Sequence, residues 1–405
     1  MEKHKWRYLD SILERNPLKT LKDYINEMVK WEYVVRSCYS DDVYWERTEF
    51  VEMILLDGCF IVEFFIKLKK DLLEMDPLFS TSWMLVLIGY DMLLLENQIP
   101  FIVLLRIFEM AILDTHKPFK YSLVELAFDF FFNFFHEIMP SAYKVVMMDC
   151  IPRPHHLLDL FHWYLIPTQT LNNQSNLPIF NRTVESKKPF FLSKVLFPCS
   201  NSAKLPISNH QSPLLSPPST PQVTSKMIPC VAELQLAGVK FKKRVEWSSI
   251  LEVKFSNGVL EIPPLSINSY TKTLFRNLLM FEECYPKARI CFMTYIVFMD
   301  CIINTSKDVA LLHRNGIINH LMGSNEEVAH LFNSLGYGLF DFQNNYLSDL
   351  YKDVEKHCKT KWNMWWASLR RNYFTSPWAG LATLAAAIVI LATIIQAIFA
   401  ILSYK

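Results

Sequence analysis

Glycine is scarce in this 405-residue chain, with nine residues, about 2% against a typical ~7%. Phosphate-cradling loops need clustered glycines, because backbone must approach the phosphate with no side chain in the way. Only Gly336 and Gly338 stand within four residues of each other, which is neither a Walker loop nor a dinucleotide fingerprint, so no nucleotide is expected to bind. A basic excess is also missing: 41 Lys and Arg face 40 Asp and Glu, net +1, which argues against a nucleic-acid partner. No CxxC occurs among the nine cysteines, and with it go the usual zinc-ribbon and dithiol redox patterns. No Gly-x-Ser-x-Gly, His-Glu-x-x-His or kinase signature is present, so hydrolytic and phosphotransfer chemistry has no anchor in the sequence. The first ten residues, MEKHKWRYLD, lack an apolar run, and a secretory signal peptide is not expected. An odd number of cysteines scattered through apolar strings suits reduced, buried thiols in a cytosolic setting.

What the chain does have is apolar material: 51% hydrophobic and 14% aromatic residues, ample for a sizeable core. The longest uncharged run is GLATLAAAIVILATIIQAIFAIL, from Gly380 through Ile390 to Leu402. As a helix it spans about 34 Å, enough for a hydrocarbon core of about 30 Å. Lys359, Lys361, Arg370 and Arg371 precede it and favour a cytosolic flank, with Trp378 at the lipid–water boundary. The expected topology is a single-pass, tail-anchored membrane protein with a cytosolic body, on the plasma membrane or endoplasmic reticulum. An amphipathic helix leads into the span, its apolar face running Leu347, Leu350, Tyr351, Val354, Cys358, Trp362, Trp365, Leu369 and Tyr373 at three- and four-residue steps. Ser376-Pro377 ends it.

Upstream, the 3.6-residue period predicts a helical half over 1–165. Leu18, Leu21, Ile25, Met28 and Val29 form one stripe, 47–70 a richer one, and 83–95 and 101–111 lie on either side of Pro100. Leu123 to Ile138 is so aromatic that burial on most faces is required. Residues 166–230 hold ten of the 21 prolines, ten serines and no glycine, and read as a disordered insertion. Ser212-Pro213, Ser216-Pro217 and Thr220-Pro221 inside it are possible phosphosites for proline-directed kinases. A second half follows over 231–376. Alternating runs around Asn257-Gly258 predict a β-hairpin within 239–262, and helices resume from Thr271, with a capping box at Ser324–Glu327. The fold class is mainly α: a large helical domain with a small β-hairpin element, plus one C-terminal transmembrane helix.

Three groups of polar residues invite a chemical reading. Glu96, Asn97 and Gln98 sit where a helix ends before Pro100, either as a carboxylate–amide site or as caps for carbonyls left unpaired. Asp57, Glu63, Asp91 and Glu125 are acids inside apolar helices, and facing each other they could serve as acid and base. His155, Asp159 and His162 share a face if they lie on one helix, which makes them weak metal-ligand candidates; Glu327 and His330 form the one Glu-x-x-His of the chain, where a helical di-metal site wants two. No catalytic residue, cofactor or metal is expected on these spacings.

Several strings carry a resemblance. MEKHKWRYL opens the chain; EFVEMILLDGCFIVEFF (49–65), DMLLLENQIPFIVL (91–104) and HHLLDLFH (155–162) follow in order. After the insertion come AELQLAGVKFK (232–242), FSNGVLEIPPLSIN (255–268), FRNLLMFEEC (275–284), FMDCIINTSKDVALLHRNGII (298–318), GSNEEVAHLFNSL (323–335) and YFTSPWAGLA (373–382). Together they resemble the plant "domain of unknown function 247" family, also called UPF0481. The resemblance implies a largely helical plant protein, commonly ending in one membrane helix, with no established catalytic activity; some members are tied to reproductive recognition. The family pattern usually has a further segment ahead of the stretch matching MEKHKWRYL, and any function resting on that segment is not carried over here. The expected function is a non-catalytic interaction or recognition module, with lipid as partner of the C-terminal helix and unidentified proteins as partners of the body. The alternative is a membrane-associated, metal-dependent enzyme using the buried carboxylates and histidines.

Overall fold

The computed structural model describes residues 2–39, 44–70, 76–79, 82–112, 119–135, 137–138, 153–167, 228–285, 287–339, 345–359, 385–386 and 388–396. Within these the chain is mainly helical, and it divides into two compact units. Residues 1–166 and 270–289 belong to the first; residues 228–269 and 290–405 belong to the second.

In the first unit the helices are α1 (Glu2–Arg15), α2 (Leu21–Ser37), α3 (Arg47–Lys69), α4 (Ser82–Asp91), α5 (Phe101–Ile112), α6 (Leu123–Phe134), α7 (Leu157–Leu165) and, from later in the chain, α9 (Thr271–Cys284). The hub is α3, which packs against α1, α2, α5 and α6. Its run from Ile54 to Ile66 is apolar on almost every side, and nearly all of it is buried, as expected of a helix surrounded by others. Gly58 permits the closest approach: a Cβ there would collide with the Ile107 side chain of α5. Phe64, Phe65, Phe130 and Phe131 pack edge-on or tilted between α3 and α6. The aromatic run from Leu123 is therefore core, buried through Phe131.

The expected apolar stripe of α2 is corrected. Leu18, Leu21 and Ile25 are exposed, whereas Tyr24, Met28 and Val35 are buried. The face turned inward is the one that offers a large ring, Tyr24, to the core against α3 and α5.

The second unit holds α8 (Val231–Leu236), β1 (Lys240–Lys243), β2 (Lys254–Ser256), β3 (Val259–Ile262), β4 (Leu265–Ile267), α10 (Phe292–Ile302), α11 (Ser306–Arg314), β5 (Ile318–His320), α12 (Asn325–Gly336) and α13 (Ser348–Lys359). β2 and β3 form an antiparallel hairpin whose turn is Asn257-Gly258, both at positive φ (50° and 74°), the conformation that Asn-Gly accepts most readily. The hairpin proper is shorter than the 239–262 read from sequence, because β1 joins β3 in parallel on its other side. β4 and β5 make a second, parallel pair. α13 packs on β2 and buries Leu350, Tyr351 and Val354, with Leu347 buried just before it, the first part of the expected amphipathic face. Its continuation beyond Lys359 lies outside the described residues.

Among the described residues no helix is long and apolar enough to cross a membrane. Of the expected span 380–402 only 385–386 and 388–396 are described, and they are helical. Gly380 and Leu402 lie outside the described residues, as do 168–227 with Ser212, Ser216 and Thr220. The fold thus supports the helical class and the small β element, and not the spanning helix.

Candidate functional site

The two polar strings singled out in the first half of the sequence come together. Pro100 immediately precedes α5, and Pro154, His155 and His156 precede α7; Phe101 N–H donates to the His155 carbonyl at 2.7 Å and ties them. Between them lies a small cleft of about 140 Å³. Cys38 and Tyr39, at the end of α2, form one wall, while Gln98, Pro100 and Ile102 meet Pro154, His155 and His156 on the other.

Gln98 is the keystone, and it is buried. Its amide nitrogen donates to the carbonyls of Met92 (2.9 Å) and Leu94 (2.6 Å), and its oxygen accepts from Leu158 N–H at 3.0 Å. One side chain therefore satisfies carbonyls left after α4 and an orphan N–H in the first turn of α7. Asn97 acts in the same way, donating to the Asp91 carbonyl at 3.0 Å. The structural reading of Glu96-Asn97-Gln98 as a helix-end device is the one these bonds support.

The metal-ligand candidates are divided. α7 begins only at Leu157, and His156, its N-cap, has extended backbone (φ −160°, ψ −179°). His155 consequently lies outside the helix, and the i, i+4, i+7 face from His155 does not form. His155 Nε2 bonds the Tyr285 hydroxyl at 2.7 Å. Asp159 accepts from His155 N–H at 2.8 Å, while its own N–H donates to His156 Nδ1 at 3.1 Å. His162 turns inward to Glu282 Oε1 at 2.6 Å, both fully buried. Among the described residues no group of three or more His, Cys, Asp or Glu is placed to hold a metal.

The four acids expected inside apolar helices are likewise separate. Asp57 pairs with Lys5. Glu63, buried, receives Arg15 at 2.6 Å and 2.8 Å from Nη2. Glu125 caps Ser122 reciprocally, and Asp91 is exposed at the end of α4. Glu327 differs in detail from the capping box read from sequence: Ser324 accepts from Glu327 N–H, but the glutamate reaches Gly323 N–H rather than Ser324's own. His330, on the same helix, is exposed.

Electrostatics of the cleft do not favour a nucleophile. Burial pushes the Cys38 thiol up, away from the thiolate that attacks, and its Sγ donates to the Val34 carbonyl at 3.3 Å. Burial, aided by His155 and His162, holds His156 neutral with a pKa of about 3. Tyr39, also raised by burial, stays protonated. Sequence reasoning missed Cys38, Tyr39, Glu282 and Tyr285. Glu282 and Tyr285 are 120 and 130 residues from their histidine partners, and no local period connects them.

Fold and cleft together define a mainly helical protein whose polar side chains at helix ends are committed to holding elements in place. The family described as plant protein of unknown function, domain 247, matches residues 1–392, and the chain belongs to it. A UPF0481 protein of Arabidopsis thaliana is 31% identical over 414 residues, covering 100% of this chain and 79% of the relative. A putative UPF0481 protein of the same plant is 20% identical over 449 residues, covering 98% and 82%. No solved structure matches.

Proposed function

We propose that this plant protein is a membrane-anchored, non-catalytic interaction module. The observation that carries the reading is the described part of the C-terminal helix. Ile388, Val389, Ile390, Leu391, Ile394 and Ile395 are all roughly half exposed or more, from 46% to 64%, within a run that holds no charge over 23 residues. Consecutive exposed residues cover every side of a helix, and a helix apolar on every side needs an apolar surround. Thr393 returns its hydroxyl to the Val389 carbonyl at 2.6 Å, which hides its one donor inside the helix, as a lipid environment demands.

The non-catalytic part of the reading rests on the cleft. At about 140 Å³ it falls below the ~300–1,000 Å³ of ordinary ligand pockets, and its histidines are engaged with Tyr285, Asp159 and the backbone. Exposed apolar residues on α2 (Leu21, Ile25 and Val34) and just before it (Leu18) suit contact with other proteins.

The test is fractionation in plant cells. The full chain is expected to resist carbonate extraction, and deletion of 380–405 to release it. Ile390→Arg is expected to weaken insertion by roughly 3 kcal/mol on translocon scales. A deletion variant that stays in the carbonate-resistant pellet, or a full chain that is extracted, refutes the anchor. Asn173, Asn181 and Asn304 each begin an Asn-x-Ser/Thr sequon. With the body in the cytosol they stay bare, and a glycosidase-sensitive mass shift reverses the orientation.

A further inference from the structure

We infer that His313 and His320 form a binding site for a divalent transition metal of the copper, nickel and zinc class. Both lie in the second unit, on one rigid helix-to-strand connection. α11 ends in a Schellman motif: Ile317 N–H bonds the Leu312 carbonyl at 3.0 Å and Gly316 N–H the His313 carbonyl at 2.9 Å. Gly316 takes the left-handed conformation this requires (φ 68°). β5 follows at once, held against β4, and ends on His320. The turn therefore fixes the two imidazoles relative to each other, with centroids 5.8 Å apart and planes at 58°.

The hydrogen bonds decide which nitrogens are left. His313 Nδ1 lies 2.9 Å from the Ile318 carbonyl, and a carbonyl only accepts, so Nδ1 carries the proton and Nε2 the lone pair. His320 Nε2 lies 2.9 Å from Asn325 Oδ1, so Nε2 carries the proton and Nδ1 the lone pair. His320 Nδ1 is buried without a hydrogen-bond partner among the described residues. Each ring thus shows the arrangement of a metal-ligating histidine, one nitrogen donating to an oxygen that orients it and the other bare. Two imidazoles sharing a metal at about 2.1 Å per nitrogen have centroids roughly 5–6.5 Å apart, and the observed separation falls inside that range.

No third His, Cys, Asp or Glu joins them among the described residues. With two protein ligands, the remaining positions would fall to water and the metal would be exchangeable rather than structural. Imidazole nitrogen selects the later first-row divalent ions over magnesium and calcium, which prefer oxygen.

The test titrates the chelator-stripped full chain in detergent with Cu²⁺ and Zn²⁺, reading copper EPR and competition with a chromophoric chelator. The expected result is a one-to-one site with two-nitrogen coordination. His313→Gln and His320→Gln should each lower its affinity tenfold or more, while His155→Gln leaves it unchanged. Thermal melts in EDTA report whether each variant folds; should His320→Gln fail to fold, the solvent-exposed His313→Gln carries the same prediction. Equal affinity in wild type and the His313 variant, a spectrum without two-nitrogen coordination, or an equal loss in His155→Gln overturns the site.

Discussion

Replacing Gln98 tests whether the cleft is a structural keystone. Gln98→Ala removes three hydrogen bonds: two to the carbonyls of Met92 and Leu94, and one from Leu158 N–H. The losses are unequal. The Leu94 carbonyl still accepts from Asn97 N–H at 3.0 Å, so it keeps a partner. Leu158 is fully buried, and its N–H belongs to the first turn of α7, where no intrahelical carbonyl can take it. Leaving such a donor unpaired costs about 1–3 kcal/mol, and the weakened carbonyls about 1 more. Lost packing of the glutamine stem adds about 1 kcal/mol. The expected total is about 3–5 kcal/mol for Gln98→Ala and about 2–4 kcal/mol for Gln98→Met, which keeps the volume and removes only the polar contacts. Urea unfolding of the full chain in detergent, followed by far-UV circular dichroism and by native-state proteolysis between α4 and α7, reads both. A loss under 1 kcal/mol for Gln98→Ala, or a Gln98→Met variant as stable as wild type, would refute the keystone reasoning.

Two further outcomes follow from other buried polar groups. Glu63→Ala should destabilise the protein by roughly 3–5 kcal/mol, because Arg15, mostly buried, is left without its counter-charge. The double variant Glu63→Leu with Arg15→Met should be more stable than Glu63→Ala, and urea unfolding that ranks it equal or lower sinks the ion-pair argument. His156 is buried and neutral, with its pKa depressed to about 3 from the ordinary ~6.5. The unfolded chain takes up the proton first, so this stability is complete above about 6.5 and is lost as pH falls toward 3, by up to about 1.4 kcal/mol per unit. His156→Asn keeps an N-cap acceptor without the titration, and should show a shallower loss between pH 7 and 5. Equal slopes for variant and wild type would remove His156 as the cause.

Much of the fold was legible where the signal is local. Asn257-Gly258 specified its turn because so few residue pairs tolerate positive φ twice running. The aromatic run from Leu123 could only be core, and the Asn97 and Gln98 caps answered a need that Pro100 makes visible. The face of α2 was not legible. Leu21 and Ile25 on one side and Tyr24 and Met28 on the other offer comparable apolar area at helical spacing, and only the shape of the neighbouring helices chooses between them. The parallel pairing of β1 with β3 was equally hidden, because register between strands that are not consecutive in sequence depends on how the intervening residues 244–258 fold back.

The string PHHLLDLFH shows why a face argument can fail on correct spacing. Residues at i, i+4 and i+7 share a side only if all of them lie inside the helix, and here the helix starts two residues after the first. The sequence carried the cue. His156 and Asp159 stand three apart, the separation of an N-cap and its N3 partner, and both are used that way: His156 Nδ1 receives Asp159 N–H, and the Asp159 carboxylate receives His155 N–H. Capping commits one acceptor of each residue to the backbone and sets where its side chain points. His155 is thereby freed to meet Tyr285, and His162, a full turn further in, meets Glu282 in the core. By contrast His313 and His320, also seven apart, do not lie on one helix, and the turn between them places their rings 5.8 Å apart. Proximity set by a rigid turn, with the bare nitrogens fixed by oxygens on the opposite side of each ring, is a stronger indication of metal chemistry than helical spacing alone.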